Sequence, residues 1–362
     1  MDNNQNTEKN AVNPKKIKHN IFLVCAILVI VLIIILSQND ANAIWHAIQS
    51  ADYRYIGIAF LFTLGYWLFT SFSLHIMIKK KSENSISFKD SFTIANSAFF
   101  FNGITPFSSG GQPFQIYSYH KCNIKSATST GVLMMNFIIY QIALNVVSLV
   151  ALILYFGELS RNVSGFNVLV IIGFSINFII LIVLILMAIS KRFRNICNFF
   201  VDKICRLKFL RKHSDAIKEK VNTFVVDFQI SFKSLFKSCG LLVITLLFHI
   251  SALACQFIIP FFILKALGIE LESSHVMMIM SLSAFALGFM IWIPTPGSSG
   301  GAEWAFAELF PALIPTITGP ITASATLLWR LLTYYFSIFF GFINFIIFEK
   351  THKERTEEEA ED

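Results

Sequence analysis

Thr295-Pro296-Gly297-Ser298-Ser299-Gly300-Gly301 repeats the earlier stretch Thr105-Pro106-Phe107-Ser108-Ser109-Gly110-Gly111 with only the third residue changed. Both copies lie between apolar segments. A Thr-Pro break, two hydroxyls and a glycine pair make a poor transmembrane helix and a good place to interrupt one. Proline lacks the backbone donor, glycine lets the chain turn, and serine can satisfy the freed backbone groups. Two such interruptions in corresponding halves of a membrane protein form the pattern of a substrate site built from broken helices.

The surrounding chain has membrane composition. Of 362 residues, 55% are hydrophobic, 14% are charged and 39 are Phe. A helix crossing a bilayer needs about 20 apolar residues. Apolar runs at 21–36, 55–78, 127–156, 168–189, 240–264 and 321–348 meet that length with their flanks. The Ile, Lys, Asn and Phe bias suits an AT-rich bacterial genome. Cys25, Cys122, Cys197, Cys205, Cys239 and Cys255 form no CxxC pair and no metal-ligand spacing. Walker A, GxSxG, HExxH and dinucleotide-binding patterns are absent from any usable context, so neither catalytic residues, nor a metal, nor a cofactor are expected.

Basic residues cluster at 9–18, 79–81, 121–125 and 191–237, and short loops with that excess belong in the cytoplasm. The connections at 37–54, 157–167 and 265–275 are poor in Lys and Arg and belong outside. The tails at 1–18 and 349–362 then both face the cytoplasm. A hairpin at 88–120 carries the first motif and enters from the cytoplasmic side; one at 276–314 carries the second and enters from outside. The expected architecture is an all-α polytopic membrane protein of two inverted-topology repeats, 19–156 and 168–348, with about six long transmembrane helices. The two motif hairpins are either re-entrant or pairs of short crossings, which leaves eight or more crossings open. The basic insertion at 191–237 spaces apolar residues three and four apart. That suits amphipathic helices on anionic lipid of the inner leaflet, or alternatively a solvated helical hairpin. Nucleic-acid binding is not indicated.

Glu303 and Arg330 place charge where a membrane makes it costly, and such groups are functional candidates by default. Arg330 can hold a phosphate bidentately and stays charged at any relevant pH. The competing reading is that the two pair with each other and lock the second hairpin. The backbone N–H groups of Ser108, Ser109, Gly110 and Gly111, and of Ser298, Ser299, Gly300 and Gly301, each lead into a half-helix and offer an anion a set of donors. The alternative there is that Ser and Gly only permit close helix packing. Gln112 follows the first motif where the second has Ala302, so the halves are not chemically equivalent. His75, Asn136, Gln141, Asn145 and His249 read as hydrogen-bonded core residues.

The stretch 295–303 (Thr-Pro-Gly-Ser-Ser-Gly-Gly-Ala-Glu), its echo at 105–111 and the Arg330-bearing last helix resemble the lysylphosphatidylglycerol synthase transmembrane region. This is the flippase-like domain of the multiple peptide resistance factor, found also as stand-alone membrane proteins. The resemblance covers nearly all of 19–348. It implies a lipid translocase moving an anionic or aminoacylated phospholipid such as lysyl-phosphatidylglycerol, or a polyprenyl-linked lipid, between leaflets. The alternative it implies is a phosphatidylglycerol lysyltransferase or its membrane subunit, with a role in cationic peptide resistance. No soluble synthase domain follows residue 348, so aminoacyl transfer is not expected of this chain alone. The expected setting is the bacterial plasma membrane, with a lipid substrate as partner. A separate lipid-modifying enzyme and a second copy of the chain are further candidate partners.

Overall fold

The computed structural model describes residues 41–163, 166–190, 238–290 and 293–361, together with a few isolated positions between 191 and 237. The expected span at 21–36, the tail at 1–18 and the amphipathic helices of 191–237 lie outside the described residues.

Every element is helical among the described residues. A short helix α1 (Ala41–Gln49) occupies the connection at 37–54. Helix α2 (Tyr53–Lys81) begins where the Asp52 carboxylate accepts from the Arg54 N–H, and closes on Lys79, Lys80 and Lys81, cations that suit a helix C-terminus. The first hairpin follows as α3 (Phe88–Gly103) and α4 (Gly111–Lys121), joined by a 3₁₀ turn at Pro106–Ser108. Ser87 caps α3 by accepting from the Asp90 N–H. Helix α5 (Ser126–Asn162) runs past the expected boundary near 156, so the connection after it is shorter than the expected 157–167. Arg161 donates its Nε–H to the Gly157 carbonyl and satisfies the last turn.

Helix α6 (Phe166–Ile189) and α7 (Cys239–Ala266) follow. The second hairpin is α8 (His275–Met290) and α9 (Gly301–Leu313), with a matching 3₁₀ turn at Pro296–Ser298. The last crossing is α10 (Gly319–Arg330), a π-turn at Leu331–Tyr335 and α11 (Phe336–Glu361). Among the described residues, four stretches are long and apolar enough to cross a membrane: Tyr53–Lys81, Ser126–Asn162, Cys239–Ala266 and Gly319–His352. The hairpin arms are shorter. At about 1.5 Å rise per residue, α3 and α8 reach about 24 Å and α4 about 17 Å, against a hydrocarbon core of about 30 Å.

Two pairings dominate the interior: α2 lies along α7, and α3 lies along α11. In return α8, the matching arm of the second hairpin, packs on α5. Each hairpin therefore rests on the closing helix of the other half. Gly341 makes the α3–α11 approach feasible, since a Cβ there would stand 2.7 Å from the Phe100 nitrogen and 2.8 Å from the Asn96 carbonyl oxygen. Trp67 stacks on Phe340 with ring centroids 4.2 Å apart and donates its indole N–H to Ser337 Oγ at 3.1 Å. Ile153, Leu149 and Leu154 of α5 and Leu247 of α7 face outward, as hydrocarbon solvent favours. Deep between α2, α5 and α7, His249 Nε2 lies 3.0 Å from both Ser73 Oγ and Asn136 Oδ1. His75 contacts Ser91 Oγ at 2.9 Å, and Asn145 donates to its own helix at the Gln141 carbonyl. His75, His249 and Asn136 thus have partners on other helices, as expected, whereas Asn145 bonds within its own helix and the buried Gln141 Oε1 has no hydrogen bond.

Candidate functional site

The two motif copies fold into the same turn. In the first, Phe107 and Ser108 take left-handed backbone angles of φ 54° and 51°; in the second, Gly297 and Ser298 take 61° and 55°. Both turns close with the same bonds. The N–H of Ser108 or Ser298 donates to the Thr carbonyl at the motif's start, and the N–H and hydroxyl of Ser109 or Ser299 donate to the proline carbonyl. The shared conformation ends at the fourth residue: Ser109 and Gly110 are right-handed helical, whereas Ser299 is extended and Gly300 has φ 90°. The two turns also touch each other.

The turns differ in their surroundings. Pro106, Phe107, Ser108 and Ser109 are exposed, and Phe107 keeps 62% of its surface accessible, whereas Pro296 and Ser299 are buried. The amide donors expected to be offered to an anion are bonded inside the first turn. Gly110 N–H donates to Thr105 Oγ1 at 2.9 Å and Gly111 N–H to Asn102 Oδ1 at 2.8 Å. In the second, Gly300 N–H donates to Glu303 Oε2 at 2.7 Å, so the carboxylate caps α9 in its first turn. Gln112 is half-buried on α4, away from any bond of the turn.

Glu303 and Arg330 come together. Both are buried, with 9% and 3% of their surface accessible, and Glu303 Oε1 lies 3.0 Å from Arg330 Nε. That approach is an ion pair by distance alone. The N–H does not point along it, and both atoms remain without a formed hydrogen bond. The guanidinium is anchored elsewhere: Nη2 donates to the Gly297 carbonyl at 2.9 Å and to Ser299 Oγ at 3.1 Å. Arg330 therefore bridges the second turn, its capping carboxylate and the last crossing.

Two aromatic residues complete the site, and the motif reading did not single them out. Tyr334 places its ring 4.2 Å from the Arg330 guanidinium carbon, and the Tyr335 ring lies at 5.9 Å. Tyr334 OH donates to the Gly103 carbonyl at 2.9 Å, at the end of the first hairpin's entering helix. The π-turn presents these rings to Arg330; such turns commonly occur at functional sites. The available signal was the spacing, since Tyr334 stands four residues after Arg330 on a helix. Gly297 is fixed by the same ring. Its φ is 61°, and a Cβ built there overlaps Tyr334.

The fold and the site define a polytopic α-helical membrane protein in which two broken hairpins meet beside a buried ion pair. The chain belongs to the lysylphosphatidylglycerol synthase TM region family, whose pattern matches residues 21–341. It is similar to a UPF0104 membrane protein of Archaeoglobus fulgidus, with 27% identity over 325 residues, covering 86% of this chain and 92% of that relative.

Proposed function

We propose that the protein is a lipid translocase that carries an anionic or aminoacylated phospholipid, or a polyprenyl-linked lipid, between the leaflets of a bacterial plasma membrane. The observation that carries this reading is the buried pair of Glu303 and Arg330, whose facing atoms Oε1 and Nε have no formed hydrogen bond. A buried charge pair whose hydrogen bonds are incompletely formed is costly, and a ligand that supplies them stabilises the site. A lipid phosphate oxygen accepts from the guanidinium, and a headgroup ammonium donates to Oε1. The acyl tails remain in hydrocarbon. The turn amides play a secondary part, because those of the first turn are already bonded within it. Ser298, Ser299 and the exposed Ser108 and Ser109 border the headgroup's route.

The reciprocal packing of α3 on α11 and α8 on α5 supports a pair of inverted repeats, as do the matching turns. In this arrangement both tails are cytoplasmic, 191–237 lies against anionic inner-leaflet lipid, and each hairpin re-enters from an opposite side. Rocking one half against the other then exposes the ion pair alternately.

The test is reconstitution in liposomes carrying a fluorescent phosphatidylglycerol or lysyl-phosphatidylglycerol. Transfer between leaflets should rise well above that of protein-free vesicles; equality with protein-free vesicles for every lipid tried refutes the reading. The synthase named in the family description favours a second reading, a lysyltransferase or its membrane subunit. Purified protein given lysyl-tRNA and phosphatidylglycerol should form no lysyl-lipid, and robust formation would establish that second reading instead.

A further inference from the structure

Away from the ion pair, Cys122 at the C-terminal cap of α4 faces His352 on α11, with Sγ 3.3 Å from Nε2. The other ring nitrogen, Nδ1, lies 3.1 Å from the Phe348 carbonyl oxygen. A carbonyl can only accept, so Nδ1 carries a hydrogen there, and in the neutral ring Nε2 is the lone-pair side turned to the thiol. The imidazole is buried, with 4% accessible surface, and stacks on the Phe348 ring at 4.1 Å between centroids. Cys122 itself is partly accessible. A thiol within reach of an imidazole that is oriented by a third group is the arrangement of an activated nucleophile. Nothing in the lipid-handling role of Arg330 calls for it.

Its position indicates the electrophile. Apolar sequence in the last crossing ends at Phe348, and Glu349 begins the charged tail, so the dyad stands at the edge of the hydrocarbon. Lys121 and Glu349 mark the same level on both helices, paired at 2.8 Å. Tyr117, the buried Tyr119 and the exposed His120 are the other titratable residues of α4. A group added to Cys122 that is itself a long hydrocarbon chain can lie back into the bilayer.

We propose that Cys122 is a site of S-acylation that accepts a fatty-acyl group from an acyl thioester, with His352 as its base. His352 Nε2 takes the thiol proton as Sγ attacks the thioester carbonyl. The new S–C bond forms, the bond from that carbon to the donor sulfur breaks, and the proton passes from His352 to the departing thiolate. Oxidation states are unchanged, and no other reactant enters. The dyad raises the rate by taking the thiol proton while the S–C bond forms.

The experiment uses the full chain in detergent or vesicles with palmitoyl-CoA as the probe and intact-mass and peptide mapping as readout. Acylation should appear at Cys122, be released by hydroxylamine, and vanish in Cys122→Ser. The exposed Cys239 of the same molecules is the internal reference. The ratio of Cys122 to Cys239 labelling should fall at least tenfold in His352→Ala, and added imidazole should restore part of it. Loss of folded protein would also bring the two cysteines toward equal labelling, and rescue by imidazole is what distinguishes a missing base from a lost fold. Equal labelling of the two cysteines in the wild type, an unchanged ratio in His352→Ala, or no rescue by imidazole overturns the proposal.

Discussion

Separating Glu303 from Arg330 should reveal strong coupling. Removing one member of a buried ion pair typically costs about 3–5 kcal/mol, because the remaining charge is left uncompensated. Arg330→Ala also orphans the Gly297 carbonyl and removes the guanidinium from the Tyr334 ring, so it belongs near the upper end, about 4–5 kcal/mol. Glu303→Ala removes the cap on Gly300 N–H and strands a buried cation, at about 3–4 kcal/mol. The double variant has no unpaired buried charge, and its loss should be smaller than the two combined by about 2–3 kcal/mol. Equilibrium unfolding in mixed micelles gives the three stabilities, and the vesicle assay gives the transfer rates. Arg330→Lys separates fold from function: it retains the charge but loses the fork, so transfer should drop about tenfold or more with most stability kept. Strictly additive losses would show that the pair does not interact. Wild-type transfer by a folded Arg330→Ala protein would remove Arg330 from the lipid's path.

Other expected outcomes are simpler to score. Gly297→Ala should destabilise by about 3 kcal/mol, since the new methyl overlaps Tyr334 at a left-handed position; a loss below about 1 kcal/mol would mean that the ring moves freely. Phe107→Gly should instead stabilise by about 0.5–1 kcal/mol by relieving an exposed non-glycine left-handed residue, and a marked loss would reveal packing by its ring. With topology as proposed, Arg161→Cys should react with an impermeant external thiol reagent and Asn84→Cys should not; the opposite labelling refutes the inside-outside assignment.

The long crossings could be read from the sequence because hydrocarbon length and apolar composition impose them directly, as at 55–78 and 240–264. The hairpins could be read because their breaks recur and because proline and paired glycines interrupt a helix. Boundaries were less clear where solvent and helix compete: α5 extends to Asn162 because polar Glu158, Ser160 and Arg161 are also good helix residues or cap the last turn. In the site, charge at depth was visible at Glu303 and Arg330, since the membrane makes it exceptional. Tyr334 was hard to see, because its four-residue spacing from Arg330 is a weak mark among so many aromatics until the π-turn aims it there. The use of the first turn's amides by Thr105 and Asn102 was equally hidden. It depends on which side chains fold back, and spacing alone does not show that.

The docking of α3 on α11 has a consequence for biosynthesis. The groove that receives the first hairpin includes Gly341, which leaves the ribosome long after Phe100. At about 5–20 residues per second, the delay is roughly 10–50 s. Throughout that time Asn96 and Phe100, whose backbone Gly341 approaches in the finished protein, have no final helix against them. Membrane insertion of the first half is therefore provisional. A chain stalled or cut before the last helix would leave an uncovered hairpin in the bilayer, a form that quality-control proteases can recognise.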